Sequence, residues 1–517
     1  MIATRVPAGA VEARKAATYS PEDLVRLNIL HTNDMHGTVV PIKDKVILGH
    51  PAELGGAAYM AGLIKENRRQ DPEHTLVLDA GDSVSGQVIT DLDQGRSMID
   101  VMNRMGYAAG TIGNHDFDFH VKDLEDRLRM SQFPVILSNV TYEDGKPLPN
   151  TASSRIIELD GVKIGIIGLL TDDIPRLVLP ERTHGMVFEP GVDALEREKK
   201  HLEAQGADLV VVLSHSGLDA DREMAKRFPG EELLIVGGHS HDRLEQPVQE
   251  AGNYIVQAGS HGKQLGKVQV TFDRQKKRIV GVDGGLLTVD PAKVVPDPEV
   301  AAMVERYRAH ADQVMGEVIG KTPFPLTRSY SSDSYLGNWV TDAMRQAAGT
   351  EIGLMNSDGI RADLPGGPVT VGNVLEVRPF DGTELWRGNL KGSSLRSILE
   401  KSLSYYEPSP EGRSPFLQSS GIEMAYDASR PVGERVLWAR VNGQPLDFER
   451  TYTVAVERYL AVGNLGYDGF KEGQYKETGL TTRLVLREYA AEFDPASLEQ
   501  GKRYHDQTPA QATALAA

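Results

Sequence analysis

Short apolar runs alternate with longer amphipathic stretches from Arg26 to about residue 291. Several of these runs consist of Val, Ile and Leu without polar alternation, which is typical of strands buried on both faces. The predicted strands are Arg26–His31, Thr75–Asp79, Gly110–Ile112, Val135–Ser138, Lys163–Gly168, Leu209–Ser214 and Leu233–Val236. The predicted helices between them include Ala57–Arg69 and Asp193–Gln205. This alternation predicts an α/β fold.

Three later runs, Asn253–Ala258, Gly266–Phe272 and Arg278–Val282, have the spacing of hairpin strands. We expect them to form a second sheet. The predicted architecture of this region is therefore a two-sheet sandwich flanked by helices, with polar loops along one edge.

A long segment with few helix breakers, Glu299–Val318, predicts a connecting helix between the domains, for which a packed linker is the simplest interpretation and a hinge the alternative. A second α/β region follows it. Its predicted helices are Ser334–Ala348 and Lys391–Leu403, and the segment Thr481–Phe493 closes the region. The expected organisation is an N-terminal arm (1–25), a first domain (26–291), a linker helix (292–320), a second domain (321–493) and a C-terminal tail (494–517).

The composition is that of an ordinary globular protein, with 517 residues, 40% hydrophobic and 25% charged. A net charge of -17 argues against a nucleic-acid partner, which needs a basic surface. Small anionic substrates remain compatible with it, because bound divalent ions can dominate the local field. The chain has no cysteine, which excludes disulfides, zinc–thiolate sites and a thiol nucleophile.

No apolar run approaches the roughly 18 residues needed to cross a bilayer, so we expect no membrane partner. The first 20 residues are basic but lack an apolar core, and we expect a cytoplasmic location. A periplasmic or secreted location is the alternative if a leader lies outside the numbered chain. The oligomeric state does not follow from the sequence.

Residues able to bind metal follow five of the predicted strands. The motifs are Asp34-x-His36, Asp82, Asn114 (followed by His115), His215 and His239-x-His241. The carboxyl ends of strands are where catalytic groups converge in α/β sheets. Asp, Asn and His without sulfur suit a pair of divalent ions such as Mn, Zn, Fe or Co, and the sequence does not choose among them.

These motifs, in the forms HTNDMHG, LDAGD, GNHDFD, SHSG and GGHSH, resemble those of the calcineurin-like metallophosphoesterases. Together with the second half of the chain they resemble the 5′-nucleotidase family, whose members include UDP-sugar hydrolases and 2′,3′-cyclic nucleotide phosphodiesterases. The resemblance extends from about Arg26 to Phe493. It implies a metallophosphoesterase domain joined to a substrate-binding domain.

The resemblance also implies roles for the seven candidate ligands. Asp82 would bridge two ions, since a carboxylate can hold two cations about 3.5–4 Å apart. One site would be completed by Asp34, His36 and His241, and the other by Asn114, His215 and His239. By the same resemblance His115 and Asp118 form a catalytic dyad. His120 stands where the family commonly has glycine, and a surface histidine is its simplest interpretation.

Candidate substrate residues lie in the second half, again by resemblance. In NSDGIR, Asn356 and Arg361 would contact polar groups of the substrate, with Arg361 suited to phosphate. In VRPFDG, Phe380 would stack on one face of a nucleobase. A core position is the simpler alternative for Phe380.

The segment RYLAVGNLGYDGF departs from the family pattern by a few extra residues and by Tyr467 in place of a glycine. Within it, Tyr459 is the candidate second stacking residue and Asp468 the candidate ribose acceptor. Arg328 is a candidate phosphate contact slightly out of the family register, and a simple surface arginine is the alternative.

The resemblance implies a dinuclear-metal phosphohydrolase that converts nucleoside 5′-monophosphates to nucleoside and phosphate with a metal-activated water. The expected partner is a small-molecule nucleotide. A 2′,3′-cyclic nucleotide or a UDP-sugar is the alternative substrate for the same site. A nucleotide-binding protein without turnover is the alternative from another functional class.

Overall fold

A computed structural model describes residues 23–178, 182–379, 384–406, 414–492 and 502–509. The described residues form two compact units that divide between Ala309 and His310. Within those residues, no helix combines the length and the apolar character needed to cross a membrane.

Among its described residues the first unit has seventeen strands and most of eight α-helices. The strands are β1 (Leu24–Thr32), β2 (Ile42–Asp44), β3 (Ala52–Leu54), β4 (Thr75–Asp79), β5 (Ala109–Gly110), β6 (Val135–Ile136), β7 (Val140–Tyr142), β8 (Thr151–Ala152), β9 (Ser154–Leu159), β10 (Val162–Leu170), β11 (Met186–Phe188), β12 (Leu209–His215), β13 (Leu234–Gly237), β14 (Val248–Glu250), β15 (Asn253–Val256), β16 (Gln264–Asp273) and β17 (Arg278–Thr288). The helices are α1 (Ala57–Gln70), α2 (Val88–Asp91), α3 (Arg96–Met105), α4 (Val121–Met130), α5 (Ile174–Leu177), α6 (Gly191–Ala204), α7 (Leu218–Arg227) and α8 (Pro298–Met315).

Two main sheets stack in this unit. One has seven strands in the order β17-β16-β1-β4-β5-β6-β8, and the other has six in the order β14-β15-β13-β12-β10-β9. Strand β12 shows how both faces are used. Val211 and Leu213 enter the core shared by the two sheets, while Val210 and Val212 pack with residues of α6 and α7. The apolar runs without alternation therefore lie in strands covered on both sides.

Helices cover the outer face of the seven-stranded sheet as well. Leu30 and Val77 of that sheet share a cluster with Met60 of α1 and Met98 of α3. The layers are thus helix, sheet, sheet and helix, which confirms the predicted two-sheet sandwich.

The predicted grouping of the last three strands into a second sheet is wrong. Strand β16 pairs antiparallel with β1, and β17 pairs with β16, so this hairpin extends the first sheet. Only β15 joins the other sheet, parallel to β13. Pairing with β4 uses one edge of β1 and leaves the other edge with unpaired backbone groups, which β16 covers. Side-chain periodicity identifies the buried face of a strand but not its neighbour.

The part of the second unit that the structure describes has eleven strands and, beyond the end of α8, five α-helices. The strands are β18 (Val318–Thr322), β19 (Ile352–Asn356), β20 (Gly367–Thr370), β21 (Glu384–Lys391), β22 (Leu417–Ser420), β23 (Ile422–Tyr426), β24 (Val436–Val441), β25 (Gln444–Pro445), β26 (Thr451–Glu457), β27 (Gln474–Thr481) and β28 (Tyr504–Asp506). The helices are α9 (Tyr335–Ala348), α10 (Val371–Val377), α11 (Gly392–Leu403), α12 (Arg458–Ala461) and α13 (Thr482–Glu492).

A five-stranded sheet, β22-β19-β26-β21-β27, organises the second unit. Trp339 of α9 and Leu486 of α13 pack with Ala455 on one face, while Ile398 of α11 packs with Val454 on the other. A four-stranded sheet, β25-β24-β23-β28, contributes to the latter core. The prediction of a second α/β unit is confirmed.

Candidate active site

The candidate ligands of the first unit lie just beyond the ends of four strands or at them. Asp34 and His36 follow β1, Asp82 follows β4, His215 ends β12, and the pair His239 and His241 follows β13. Strands β1 and β4 run parallel in one sheet, and β12 and β13 run parallel in the other. Parallel strands present their carboxyl ends at the same edge, so the sheets bring these side chains together.

The side chains form three overlapping groups of potential metal ligands: Asp34, His36 and His241; Asp82, His215 and His239; and His36, Asp82 and His115. Within each group one ligand atom per residue lies within 4.8 Å of the others. Asn114 belongs to the same cluster, because its Oδ1 lies 2.7 Å from His239 Nδ1. The structure therefore brings together all seven candidate ligands.

Five of these seven residues adopt the left-handed backbone conformation that non-glycine residues rarely occupy. The φ angles are 50° for Asp34, 46° for His36, 53° for Asp82, 75° for His239 and 60° for His241. Gly113, which is not in that conformation, is instead required for close packing. A Cβ atom on Gly113 would lie 2.0 Å from Asp82 Oδ1. Both features show a backbone shaped around these side chains.

His215 provides the sharpest test of whether a cation fits. Its Nδ1–H donates to the carbonyl of Ala80 at 2.7 Å, which fixes the tautomer. Its Nε2 is buried, lies 3.0 Å from Asp82 Oδ2 and 3.8 Å from Asp34 Oδ1, and takes part in no hydrogen bond within the described residues. A lone pair would thus face two anionic acceptors. This arrangement calls for a positive charge between them.

The pKa shifts agree with that requirement. Burial lowers the pKa of His215. The negative charges of Asp82 and Asp34, together with the contact between the Asp82 carboxylate and the ring, outweigh burial and raise the pKa to about 10. Burial raises the pKa of Asp82, but the neighbouring histidines outweigh burial and hold this pKa below its ordinary value. A proton on Nε2 and a divalent cation would compete for the same place, since ligand protons and metal ions compete.

His115 and Asp118 form the predicted pair. The His115 Nδ1–H donates to Asp118 Oδ2 at 2.7 Å, and the His115 backbone N–H donates to Asp82 Oδ1 at 2.8 Å. Burial lowers the pKa of His115, but the Asp118 hydrogen bond and the charges of Asp82 and Asp118 raise it to about 9. The ring is therefore held at the ligand cluster with Nε2 directed away from Asp118.

Two residues at this site escaped the sequence analysis. Ser85 donates its hydroxyl to Asp118 Oδ2 at 2.7 Å, so it orients the same carboxylate that orients His115. The His261 ring centroid lies 5.1 Å from that of His36 and 6.0 Å from that of His241. The His261 backbone N–H also donates to the Asp34 carbonyl. A signal existed for it, because SHG after β15 resembles the glycine-flanked histidines after β13.

His120, the predicted departure from the family pattern, is exposed and immediately precedes α4. Its backbone N–H donates to Asp123 Oδ2 at 3.2 Å, which caps the start of that helix. In the described structure its position is that of a surface residue.

In the second unit Asn356 ends β19 and is 5% exposed. Its Nδ2 donates to Asp358, and its Oδ1 has no hydrogen-bond partner among the described residues. Arg328 Nη1 donates to the Arg361 carbonyl at 2.7 Å, so the structure brings these two candidate arginines together. The guanidinium of Arg328 also lies 5.8 Å from the Tyr330 ring.

Of the remaining candidates, Phe380 lies outside the described residues. Tyr459 lies on α12 and is 49% exposed. Asp468 has a 75% exposed side chain that pairs with Lys471 at 2.7 Å. The extra residues between them include one 3-10 turn, Asn464–Gly466, and Asp468 begins a second, Asp468–Glu472. Tyr467 is fully buried and donates to the Pro415 carbonyl, so it is a core residue.

Family models match both halves of the chain. Residues 27–243 match the calcineurin-like phosphoesterases, and residues 306–472 match the 5′-nucleotidase C-terminal domain. These matches indicate a metal-dependent phosphoester hydrolase.

Individual proteins are similar over most of this chain. A snake venom 5′-nucleotidase from Crotalus adamanteus is 30% identical over 500 residues, covering 86% of this chain and 82% of that protein. The crystal structure of a 5′-nucleotidase precursor from Thermus thermophilus shares 30% identity with a TM-score of 0.63, covering 94% of this chain and all of that one.

Other relatives are much longer. The trifunctional nucleotide phosphoesterase protein YfkN of Bacillus subtilis is 30% identical over 509 residues and 88% of this chain, which spans 33% of its length. The chain likewise spans 37% of the endonuclease YhcR of the same organism. The motifs, the fold and these similarities agree, and the chain belongs to the 5′-nucleotidase family.

Proposed function

We propose that this protein is a dinuclear-metal phosphohydrolase that converts nucleoside 5′-monophosphates to nucleoside and inorganic phosphate. The observation that carries the proposal is the buried Nε2 atom of His215. The Ala80 carbonyl fixes this ring in one tautomer, and Nε2 faces the carboxylates of Asp82 and Asp34. The names of the similar 5′-nucleotidases support the choice of substrate.

The side-chain groups suggest how two ions would be held. Asp34, His36 and His241 would bind one ion, and Asn114, His215 and His239 would bind the other. Asp82 shares one group with His36, a ligand of the first ion, and another group with His215, a ligand of the second ion. It would therefore bridge the two ions. Divalent ions such as Mn, Zn, Fe or Co would supply Lewis acidity toward the phosphoryl group and lower the pKa of a water molecule.

His115 would act on the substrate itself. Asp118 accepts from its Nδ1–H, and Ser85 donates to the same Asp118 oxygen, so the ring is oriented by a chain of hydrogen bonds. An Nε2–H held in this way can donate to a phosphoryl oxygen or pass its proton to the departing 5′-oxygen of the nucleoside. This role would explain why His115 lies beside the candidate metal ligands although it is not assigned as one of them.

The candidate nucleoside contacts lie in the second unit. Arg328 donates to the backbone carbonyl of Arg361, and the guanidinium groups of both residues are candidates to contact phosphate or its neighbourhood. Tyr459 exposes an aromatic surface of the kind on which bases stack, and Asp468 presents a carboxylate suited to ribose hydroxyls. Phe380 keeps its predicted stacking role.

A second candidate function is cleavage of more than one kind of nucleotide ester at the same metal centre. The similarity to a phosphoesterase named as trifunctional favours it. A 2′,3′-cyclic nucleotide and a UDP-sugar are the substrates to compare with a monophosphate.

The test is to strip the protein with a chelator, restore Mn²⁺, and follow products from AMP, 2′,3′-cyclic AMP and UDP-glucose by chromatography. We expect adenosine and phosphate from AMP only after Mn²⁺ is restored. Cleavage of the diester or the pyrophosphate with AMP left intact would replace the first candidate by the second. Bound metal without cleavage of any of the three would contradict both.

A further inference from the structure

A buried ion pair in the second unit has no part in the function proposed above. Arg378 is 6% exposed and Glu457 is 1% exposed. Arg378 Nε donates to Glu457 Oε1 at 2.9 Å, and its Nη2 donates to Oε2. The contact is the two-point fork that a guanidinium makes with a carboxylate, which fixes orientation as well as distance.

The same guanidinium also holds the loop that carries Asn356 and Arg361. Arg378 Nη1 donates to the Gly359 carbonyl at 3.0 Å. One residue before Arg378, the Val377 carbonyl accepts from the Arg361 backbone N–H at 2.8 Å. Two hydrogen bonds therefore attach the candidate substrate loop to the end of α10.

Glu457 connects this arrangement to the segment that carries Tyr459. It is the last residue of β26, and α12 begins at the next residue, Arg458. Glu457 Oε1 also accepts from the Thr482 hydroxyl at 2.7 Å at the start of α13. Both carboxylate oxygens are thus engaged, and the direction in which the chain leaves β26 toward Tyr459 is fixed from two sides.

Stability alone is a weak reason for such a pair. Desolvation of two charges offsets most of their attraction, and well-packed neutral residues of similar size often stabilise a fold as much or more. What the fork supplies beyond an apolar contact is directional geometry. Here that geometry joins the Asn356–Arg361 loop to the start of α12, which carries Tyr459.

We propose that Arg378 and Glu457 are positioning residues for nucleoside binding. They set Tyr459 in register with the Asn356–Arg361 loop, so that the base can stack while the loop holds the polar part of the same nucleotide. The inference rests on the proposed hydrolysis of nucleoside monophosphates and names the residues that govern affinity for the nucleoside.

The main test is the double variant R378M/E457Q, which removes both charges and leaves neither unpaired. We expect the KM for AMP to rise about tenfold with kcat little changed, because loss of well-aligned stacking weakens binding by that order. Loss of stability alone would lower the active fraction, and hence the apparent kcat, while leaving KM unchanged. Thermal unfolding and metal content are recorded for each variant.

A mutant cycle with Y459A makes the test specific. If the pair acts through Tyr459, adding R378M/E457Q to Y459A raises KM no further. Additive effects on KM, or an unchanged KM in a folded R378M/E457Q, would overturn the inference. The matched control is R503M/D342N, which neutralises another ion pair of the second unit, 2.7 Å long, between α9 and the residue preceding β28. It should leave the KM for AMP unchanged.

R378K covers the case in which the double variant does not fold. Lysine keeps the charge but loses the fork, so a positioning role predicts a raised KM, and an unchanged KM would overturn it. Absence of AMP hydrolysis by the unmodified protein would remove the proposed function and the inference with it. Hydrolysis by that protein with an unaltered KM in the variants would remove the inference alone.

Discussion

The two units present their candidate chemistry on different kinds of backbone. In the first unit the ligands follow or end strands of two packed sheets, and hydrogen bonds connect several of them directly. In the second unit Tyr459 and Asp468 lie on short helical turns, where Tyr459 is half exposed and the Asp468 side chain is largely open to solvent.

This difference distinguishes the residues proposed for the reaction from the residues proposed for nucleotide recognition. The ligand cluster is held by the fold itself, since moving His215 or Asp82 would require moving a buried strand or its tight turn. The recognition residues depend on supporting contacts such as the Arg378–Glu457 pair. We therefore expect substitutions in the first unit to abolish chemistry and substitutions in the second to change affinity.

The largest effect is expected for Asp82→Asn. The amide keeps the shape but removes the charge and the second anionic oxygen that bridging requires. Metal analysis should show loss of bound ions, and AMP hydrolysis should fall to background. Asp219→Asn, an exposed carboxylate on α7, is the matched control and should behave like the unmodified protein. Full metal content and activity in Asp82→Asn would contradict the assignment of the chemistry to the first unit.

A smaller loss is expected for His115→Ala, which removes the proposed proton donor and leaves the ligand set intact. The kcat for AMP should fall about 10²- to 10⁴-fold with metal content retained. The kcat for p-nitrophenyl phosphate should fall less, because that leaving group departs without a proton.

His120→Ala is the control for this variant, since His120 is an exposed histidine five positions further along. It should leave both rates close to those of the unmodified protein. An equal loss on both substrates in His115→Ala would assign His115 to the phosphoryl oxygens instead of the leaving group.

The smallest effect is expected for Asp468→Asn. Its carboxylate is exposed and already paired with Lys471, so a bond to ribose hydroxyls would be screened and would exchange one partner for another. The KM for AMP should rise about two- to fivefold, and that for 2′,3′-dideoxy-AMP should not change. A hundredfold rise would show that this open residue becomes fully engaged when substrate binds, which would weaken the contrast between the units.

The sequence predicts the first unit well because its signals are local. A run such as Thr75–Asp79 is read directly as a buried strand, and the structure has the same bounds. Ligands beyond such strands follow from the rule that strand ends converge. Partners distant in sequence carry no such signal, which is why the sequence assigns β16 to a second sheet although it pairs with β1.

The second unit is less readable for the same reason. Arg378 and Glu457 are separated by 79 positions, and nothing near either residue indicates the other. The extra residues before Asp468 are visible as a departure from the family pattern. The structure that they adopt places a buried Tyr467 between two 3-10 turns. It depends on packing against the core, which the sequence of this segment alone does not indicate. The stacking role of Phe380 stays a prediction.

The left-handed conformations of Asp34, His36, Asp82, His239 and His241 bear on how such a site survives mutation. Each costs roughly 1–2 kcal/mol that glycine would not, although Asp and His tolerate it better than most residues. Random drift to glycine would relieve strain and stabilise the fold while destroying a ligand. Selection for stability alone would therefore erode the site, so stability and ligand chemistry make opposed demands at these five positions.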